Sequence, residues 1–330
     1  MNKVFAAAAA LALLGLSIAA QAAITIDTVA VGNKGNTADT RLMDDGTTGY
    51  GSVGYAYNIG KYEVTAGQYT AFLNAVAATD TYGLYNTEMD SVNSSYGCNI
   101  KRSDNSGSYT YSVASDWANR PVNYVSYWDS CRFANWLGNG QGSGGTETGA
   151  YTLTADGMTN NTITRNPGWT GWAVTSEDEW YKAAYYKGGS TNAGYWLCPT
   201  KSNTTPGRDM ADASGNNANY NTGSHLIGSP YYRTEVGEFQ NSDSPYGTFD
   251  QGGNVYEWNE AIRSGASRGL RGGSFSSYYS TLQAPYRYSY YPTYEFFYVG
   301  FRVSEVPEPS SIIALAGGLV GLLGMRRRKA

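Results

Sequence analysis

Two neighbouring glycine-rich stretches, DQGGNVYEW at residues 250–258 and RGLRGGSF at residues 268–275, carry the strongest structural signals of the chain. In the first, the carboxylates of Asp250 and Glu257 flank a glycine pair that can turn backbone carbonyls inward. Carboxylate and carbonyl oxygens suit a hard cation. In the second, residues 270–275 have the apolar and aromatic content of a short strand. The sequence therefore predicts a candidate cation loop followed by a short strand.

Upstream of these stretches, three segments carry helix signals. They begin at Thr65, Ser126 and Ser176, and each start residue is followed three positions later by a polar residue that completes a capping box. Aromatic and aliphatic residues then recur at helical spacing, which is typical of a stripe that faces a core. Glycine ends the second segment at Gly138 and the third at Gly188. We therefore predict three modest helices.

The rest of the interior is rich in turns. Residues 172–174 and 298–303 have the composition of further short strands, whereas residues 191–232 form a long polar stretch without periodicity. Such loops need packed side chains or a bound ion to become ordered. Since no linker divides the interior, the pattern predicts one α+β domain with little regular secondary structure.

Aromatic side chains and glycine dominate the composition. The 330-residue chain has 41 Gly, 30 Tyr and 8 Trp, its charged fraction is 15%, and its net charge is −4. That charge balance argues against a basic surface for nucleic acid. Tyrosine and tryptophan supply rigid amphipathic area for a core or for a wet binding face. The three cysteines, Cys98, Cys131 and Cys198, leave at least one thiol unpaired, and the sequence does not select a disulfide pair.

Residues 1–23 have the layout of a secretory signal peptide. A basic start precedes an apolar run, and Ala20 and Ala22 supply the small residues that signal peptidase recognises. An N-terminal membrane anchor is the alternative, which these small residues disfavour. Residues 24–54 are rich in glycine, asparagine and threonine, and are interpreted as a loose lead-in.

Residues 305–330 form a tail of three parts. Val306, Pro307, Glu308 and Pro309 are followed by a short apolar run and a basic cluster. A helix over the apolar run would be about 21 Å long, which is less than the roughly 30 Å of a hydrocarbon core. The run is therefore short for a permanent transmembrane helix. The three parts resemble the PEP-CTERM sorting tail of Gram-negative bacteria that make extracellular polysaccharide. The resemblance implies transient membrane retention through a short transmembrane segment and cleavage by an exosortase; a plain C-terminal anchor is the alternative.

Six sequence blocks occur in a fixed order between Tyr55 and Val303. Besides the two stretches quoted above, they are RPVNYVS at 120–126, TSEDEW at 175–180, VGEF at 236–239 and GFR at 300–302. Together they resemble the formylglycine-generating enzyme family, also called the sulfatase-modifying factor domain. The resemblance implies a single α+β domain at residues 55–304, with a formylglycine-generating-enzyme-like variant of the C-type lectin fold that often holds calcium.

The oxidase branch of that family uses two cysteines after its Gly-Gly-Ser motif to bind copper and activate oxygen. The matching positions here are Ser277 and Leu282, and neither side chain replaces a thiolate. Another branch holds iron with several histidines, whereas this chain has one histidine, His225. Ser276 and Ser277 lack the surroundings of an activated serine nucleophile. We therefore expect no copper, no iron and no catalytic residue.

The resemblance also implies calcium ligands. One family site maps onto Asp250, Gly253, Val255 and Glu257, in agreement with the two carboxylates and intervening glycines of the first stretch. A second family site maps onto Asn219, whose companion ligands cannot be aligned. Ca²⁺ is therefore the expected cofactor.

An exported scaffold with an ion site and without redox ligands predicts a non-catalytic binding or matrix protein at the cell envelope, the outer surface or the extracellular matrix. Exopolysaccharide is the expected partner, although the fold shared with lectins is an analogy at the level of fold only. A formylglycine-generating-type oxidase, or another metal-dependent enzyme of the family, is the first alternative. A structural envelope protein without a small ligand is the second.

Overall fold

The computed structural model describes residues 23–306, in which short helices and strands are joined by long ordered loops. The helices are α1 (Ala66–Val76), α2 (Ser115–Ala118), α3 (Tyr127–Gly138), α4 (Ala155–Thr159) and α5 (Glu177–Tyr185). The strands are β1 (Thr28–Val31), β2 (Tyr57–Gly60), β3 (Ile100–Ser103), β4 (Thr110–Val113), β5 (Gly171–Val174), β6 (Tyr256–Arg263), β7 (Ser267–Arg271), β8 (Tyr288–Tyr290), β9 (Val299–Phe301) and β10 (Val303–Val306). The predicted α+β domain with little regular secondary structure is confirmed.

The three predicted helices are α1, α3 and α5, and each begins at its predicted capping box. The hydroxyls of Thr65, Ser126 and Ser176 accept the backbone N–H three residues on, at 3.2, 3.1 and 3.1 Å. In every case the residue at that position also accepts the backbone N–H of the cap. Two donors at each helix start are thereby satisfied, which fixes where the helices begin.

Two four-stranded sheets bring distant parts of the chain together. The first has the order β1-β2-β10-β5 and joins the N-terminal, central and C-terminal segments. The second has the order β8-β7-β6-β9, in which β6 and β9 run parallel. A separate hairpin is formed by β3 and β4. Since β9 and β10 are separated only by Arg302, the chain passes directly from the second sheet into the first.

Two strand predictions need correction at their ends. The strand predicted at 270–275 is β7, which ends at Arg271 because Gly272 and Gly273 have φ values of 95° and 72°. Only glycine adopts such angles at little cost, and they are incompatible with an extended ladder. The segment predicted as one strand at 298–303 is divided between β9 and β10. The predicted strand at 172–174 is confirmed as part of β5.

The folded unit begins before the boundary that the sequence predicted at Tyr55. Strand β1 lies at the edge of the first sheet, where Val29 pairs with Ile59. Val31 and Val53 are buried in the core, and Asn36 is buried with hydrogen bonds to the surrounding loop. In the structure, residues 24–54 are therefore packed on the domain, whereas the sequence predicted a loose lead-in.

Aromatic packing fills the core beneath the two sheets and helices α1 and α3. The ring of Phe133 lies 5.4 Å from Phe72 and 5.3 Å from Phe301, in edge-to-face contacts. Trp136 and Tyr69 extend the same cluster. Such pairs add to the hydrophobic free energy of burial. The aromatic composition is thus used in the core, as well as in ordering the loops.

Buried arginines hold the loops from inside. Arg271 donates to the carbonyls of Ala284 and Tyr286 at 2.8 Å, and pairs with Glu177 at the start of α5. Arg287 pairs with the same carboxylate at 2.6 Å. These two ion pairs lower the pKa of Glu177, although burial acts in the opposite direction. One carboxylate therefore contacts two guanidinium groups, and Asp45 supplies a second negative charge to Arg287 at 2.6 Å.

The predicted signal peptide at 1–23, apart from Ala23, lies outside the described residues. So does the sorting tail beyond Val306, with its predicted transmembrane segment. Within the part that the structure describes, none of the helices has both the length and the apolar character required to cross a membrane. Val306 is the last residue of β10, which is an inner strand of the first sheet between β2 and β5.

Replacing Glu177 with glutamine leaves the buried guanidinium of Arg271 without its carboxylate partner, whereas Arg287 keeps its ion pair with Asp45. We expect the free energy of unfolding to fall by about 3–5 kcal/mol. Urea denaturation measures this change. The exposed pair of Lys201 and Asp243 supplies the control, because Asp243→Asn should cost less than about 1 kcal/mol. Equal losses in the two variants would contradict the assigned role of Glu177.

Candidate functional site

Two positions carry cysteines in oxidases of the resembled family. In this chain the first position belongs to a pair of serine hydroxyls, and the second belongs to an apolar cluster. The hydroxyls of Ser274 and Ser277 lie 2.9 Å apart, and Ser277 N donates to the Ser274 carbonyl. Leu282 is fully buried and packs against Ala218 and Tyr220. Ser277 and Leu282 therefore supply one hydroxyl and one aliphatic side chain, and neither is a ligand for a soft metal.

Glycine is required in the turn before these positions. A Cβ atom on Gly273 would lie 2.2 Å from the Thr281 hydroxyl and 2.8 Å from a Leu282 methyl group. A Cβ atom on Gly272 would lie 2.7 Å from the carbonyl of Gln251. The close approach of the turn to its neighbours explains the glycine pair by packing, without any reference to catalysis.

All three cysteines are buried and unpaired. The backbone of Ala284 donates to the Leu197 carbonyl at 2.8 Å, so the segment that carries Cys198 runs beside Leu282, which its sequence position did not predict. The Cys198 thiol donates to the carbonyl of Thr204 at 3.5 Å, and burial raises its pKa to about 11. A single protonated thiol does not make a copper pair.

His225 belongs to a cluster of rings. Its imidazole lies 5.0 Å from the Tyr232 ring and 5.6 Å from the Phe275 ring, measured between centroids. Tyr96 completes the cluster at 6.3 Å. Within the described residues, no group of three or more His, Cys, Asp or Glu side chains is positioned to hold a metal ion. His225 therefore packs against aromatic rings.

The candidate cation loop is folded tightly around Gly253. A Cβ atom on this glycine would lie 2.3 Å from the carbonyl oxygen of Asn219, which requires glycine here. The carbonyls of Gly253 and Val255 accept no hydrogen bond from the residues in the structure, and oxygen atoms of this kind suit calcium. Asp250 accepts the Gly237 N–H at 2.6 Å, and burial raises its pKa to about 6.

Glu257 is engaged differently from the other members of the predicted set. Arg302 donates to both of its carboxylate oxygens at 2.7 Å, and Trp180 Nε1 donates to Oε2 at 2.7 Å. Bidentate pairs of this type are among the stronger hydrogen bonds in proteins. Asp250, Gly253 and Val255 stay predicted calcium ligands, whereas the oxygens of Glu257 already have donors.

Asn219, the residue predicted for a second calcium site, lies against the same loop. Its amide donates to the carbonyl of Tyr232 and to the side chain of Asn254, at 3.0 and 3.2 Å. Its side-chain oxygen is buried and has no partner among the described residues. Arg233, directly after Tyr232, is fully buried. A second site at Asn219 stays a prediction.

A separate groove lies on the surface between α3, α4 and the loop after β8. Two adjoining cavities of about 380 and 560 Å³ share Met158, Thr159 and Thr293 as lining residues. We call their combined surface the tyrosine groove, because three partly exposed tyrosines line it. They are Tyr82, Tyr291 and Tyr294, which are 47%, 54% and 42% exposed.

The lining of the tyrosine groove includes Trp128, whose buried indole N–H has no acceptor. Trp128 lines the smaller cavity and is almost completely buried, and its Nε1 has no partner among the residues that the structure places. Buried donors are normally satisfied by protein, water or ligand. Asn160 and the hydroxyls of Thr159 and Thr293 add further polar groups. The groove therefore combines ring faces with hydrogen-bonding groups.

Two carboxyl groups in the lining of the smaller cavity, those of Glu295 and Asp129, have raised pKa values. Burial, and then the nearby Asp129, raise the pKa of Glu295 to about 8. Burial raises the pKa of Asp129 to about 6, against the hydrogen bonds from Ser126 and the charge of Arg132. Asn86 donates to Glu295 at 2.5 Å. Near neutral pH, Glu295 is therefore largely protonated and can donate a hydrogen bond.

Sequence reasoning did not find the tyrosine groove. Its residues come from segments near 82, 126–132, 155–161 and 291–295, which no local motif connects. The dense tyrosine content between 286 and 298 was the available signal. Only the packing of α4 and of the loop after β8 beside α3 joins these segments.

Comparisons with known families agree with both resemblances. Residues 29–306 match the profile of the sulfatase-modifying factor enzyme 1-like domain. Residues 305–329 match the PEP-CTERM protein-sorting motif. The first match starts within β1, in agreement with the N-terminal extent of the folded unit.

Several solved structures are similar to this chain. CarF is 23% identical with a TM-score of 0.54, covering 86% of this chain and 99% of that chain. Treponema denticola variable protein 1 is 20% identical with a TM-score of 0.48, covering 85% and 95%. PvdO from Pseudomonas aeruginosa is 18% identical with a TM-score of 0.48, covering 84% and 94%. No curated protein matches the chain. The likeness to CarF shows the fold alone.

The buried thiols predict low reactivity. In the native protein, we expect Cys98, Cys131 and Cys198 to resist a water-soluble disulfide reagent, because burial raises the pKa of each thiol. After guanidinium denaturation, the same assay should count three thiols per chain. Rapid reaction of one thiol in the native protein, or a count below three, would show that a cysteine is accessible or oxidised.

Glu295 predicts a stability that depends on pH. An acid whose folded pKa is raised binds its proton more tightly in the folded state, so stability falls as pH rises from the usual value of 4.5 to about 8. The slope should approach about 1.4 kcal/mol per pH unit. We expect Glu295→Gln to reduce the slope of the wild type by this amount, measured by denaturant unfolding between pH 5 and about 8, while Asp129 and Asp250 keep their own contributions. The exposed Glu88, changed to glutamine, is the control and should leave the slope unchanged.

Proposed function

The chain belongs to the sulfatase-modifying factor enzyme 1-like domain family and carries a PEP-CTERM sorting motif, and from this premise we propose that it is a non-catalytic protein that binds neutral exopolysaccharide. The motif indicates export to the cell envelope of a Gram-negative bacterium and processing by an exosortase. Signal peptidase is proposed to remove residues 1–23. The proposed site of polysaccharide binding is the tyrosine groove.

Absence of the family's thiol pair supports a role without oxidation. Ser277 and Leu282 occupy the two positions, and the Cys198 thiol bonds to a backbone carbonyl. Copper(I) is held by soft sulfur ligands, which a hydroxyl and a methyl group do not replace. The surrounding turn is explained by packing. The scaffold is thus proposed to serve binding.

Three partly exposed tyrosines rim a groove whose lining includes the buried Trp128, and this arrangement is the observation that carries the proposal. Sugar rings offer apolar C–H faces to aromatic rings, and their hydroxyls offer both donors and acceptors. Tyr291 and Tyr294 supply two ring faces, with centroids 5.4 Å apart. Thr293 between them supplies a hydroxyl. A chain of hydroxyl-rich rings matches this arrangement of surfaces.

Charge favours neutral sugars over acidic ones. Glu295 and Asp129 line the smaller cavity, and their only basic neighbour in its lining is Arg132. Arg132 is already paired with Glu147 at 2.7 Å. A uronic acid carboxylate would meet like charge from Asp129 without a free cation to balance it. Neutral polymers avoid this repulsion.

Calcium is proposed to stabilise the scaffold. Asp250 is half-buried, and none of the four predicted ligands lines the tyrosine groove. The ion is therefore not expected to touch the sugar. Calcium removal should weaken binding only through its effect on the folded population.

Removing the ring faces should weaken binding. We expect Tyr291→Ala and Tyr294→Ala each to raise the dissociation constant for a neutral exopolysaccharide by about threefold to tenfold, since an aromatic contact contributes about 0.5–1.5 kcal/mol. A glycan array followed by calorimetry measures this effect. Tyr278→Ala is the matched control, because this tyrosine is 62% exposed and lies outside the groove lining.

Wild-type protein that binds no neutral or acidic glycan on the array would contradict the proposed function. Binding that is lost equally in Tyr278→Ala would place the site elsewhere. Metal analysis of the same sample adds an independent check, because stoichiometric copper or iron would favour the oxidase alternative.

A further inference from the structure

A cavity of about 610 Å³ lies where the described part of the chain ends. Its described lining comes from the end of α3, the loop before β5, the start of β5 and the end of β10. We call it the tryptophan cavity, because the partly buried Trp169 and Trp172 line it. Glu305 and Val306, the last described residues, belong to the same lining. The sorting motif therefore begins in the wall of this cavity.

The indole of Trp169 is held in a fixed position. Its Nε1 donates to the Trp172 carbonyl at 3.0 Å, and its backbone N–H donates to the Asn166 carbonyl at 3.1 Å. Gly168, in the turn that this second bond closes, has a φ of 73°. A Cβ atom on Gly138 would lie 3.2 Å from the Trp169 ring, so the end of α3 packs closely against it. A ring fixed in this way loses little conformational entropy when it binds a ligand.

Strand pairing directs the motif toward this ring. Val306 lies opposite Gly171 in the antiparallel pair of β10 and β5. The next position along β10 would therefore lie opposite Thr170, which directly follows Trp169. That position is Pro307, which has no N–H to donate to the ladder. Contacts other than strand pairing are therefore needed to hold the motif on the domain.

The motif has the chemistry of a ligand for aromatic rings. Proline fixes its own φ and disfavours the helical conformation in the residue before it, so the sequence Val-Pro-Glu-Pro favours polyproline II. Proline-rich segments in this conformation dock on grooves lined by aromatic side chains. Three such residues extend about 9 Å, which a cavity of about 610 Å³ can accommodate.

We infer that the tryptophan cavity binds residues 307–309 of its own chain, with the two prolines against the rings of Trp169 and Trp172. Among the described lining residues Glu305 is the only charged one, and its carboxylate accepts from Asn58 at 3.2 Å. The lining thus offers no cation to Glu308, whose carboxylate is expected to stay in water. The contact is therefore made by the prolines.

Docking of the motif competes with its processing. A segment that lies in the cavity cannot lie in the active site of an exosortase at the same time, so only the released fraction of the chains is open to cleavage. The cavity exists only when α3, β5 and β10 are packed together. The folded domain therefore restrains the removal of its own tail, and this inference does not depend on sugar binding.

The first test measures docking in the exported chain with its tail intact, purified in detergent from cells without exosortase. Ser310→Cys is labelled with bimane, a fluorophore that indole rings quench on contact, and the chain without this substitution gives the labelling background. Replacing Pro307 and Pro309 together with serine should raise the bimane emission by about twofold or more, because the undocked population increases. Trp169→Leu should have the same effect.

Trp196→Leu is the matched control, because this partly buried tryptophan lies outside the cavity lining and should leave the emission unchanged. Equal emission with and without the two prolines would overturn the docking. The proline substitutions lie outside the described residues, so this comparison remains decisive even if Trp169→Leu fails to fold.

The second test measures the rate at which an exosortase removes the tail. Trp169→Leu leaves the motif intact and should shorten the half-time of removal by about twofold or more, since a larger fraction of the chains is available. Trp196→Leu should match the wild type. A half-time that is unchanged or longer in Trp169→Leu would overturn the competition with the exosortase.

Discussion

The fold depends on one buried ion pair, that between Glu257 of β6 and Arg302 between β9 and β10. Its guanidinium also donates to the carbonyl of Gly60 in β2, and the carboxylate also accepts from Trp180 in α5. Both sheets and α5 therefore meet at one fully desolvated pair. A pair of this kind adds little net free energy over apolar packing, but the loss of one partner leaves a buried charge that costs several kcal/mol. It consequently selects one arrangement of the strands.

Buried polar side chains also hold the long loops by hydrogen bonds to the backbone. Asn135 of α3 donates to the carbonyls of Thr146 and Tyr151, and accepts from the N–H of Tyr151. Arg271 likewise donates to the carbonyls of Ala284 and Tyr286 in the loop after β7. Buried backbone groups must form hydrogen bonds. In these loops side chains provide the hydrogen bonds that a neighbouring strand provides in a regular sheet. This explains how a chain with few regular elements remains ordered, and why polar residues as well as aromatic rings fill its interior.

Local signals in the sequence were sufficient to predict the helices and the family. They were not sufficient to locate the sites. The capping boxes at Thr65, Ser126 and Ser176 act within four residues, so sequence alone located them. The end of β7 was predicted too late because the positive φ of Gly272 depends on the approach of Gln251, a contact between distant segments. The tyrosine groove also depends on distant segments. The tyrosine content indicated its chemistry but not its location.

Loss of the thiol pair is compatible with the intact fold because the turn that would present it is held by packing. The glycine doublet fits against Gln251, Thr281 and Leu282, and none of these contacts requires a metal or a thiol. Leu282 contributes apolar burial where a cysteine would contribute a ligand. Since the turn gains its stability from the core, redox chemistry and folding are separable at this position. The tyrosine groove shares none of these residues and can therefore carry a different function on the same scaffold.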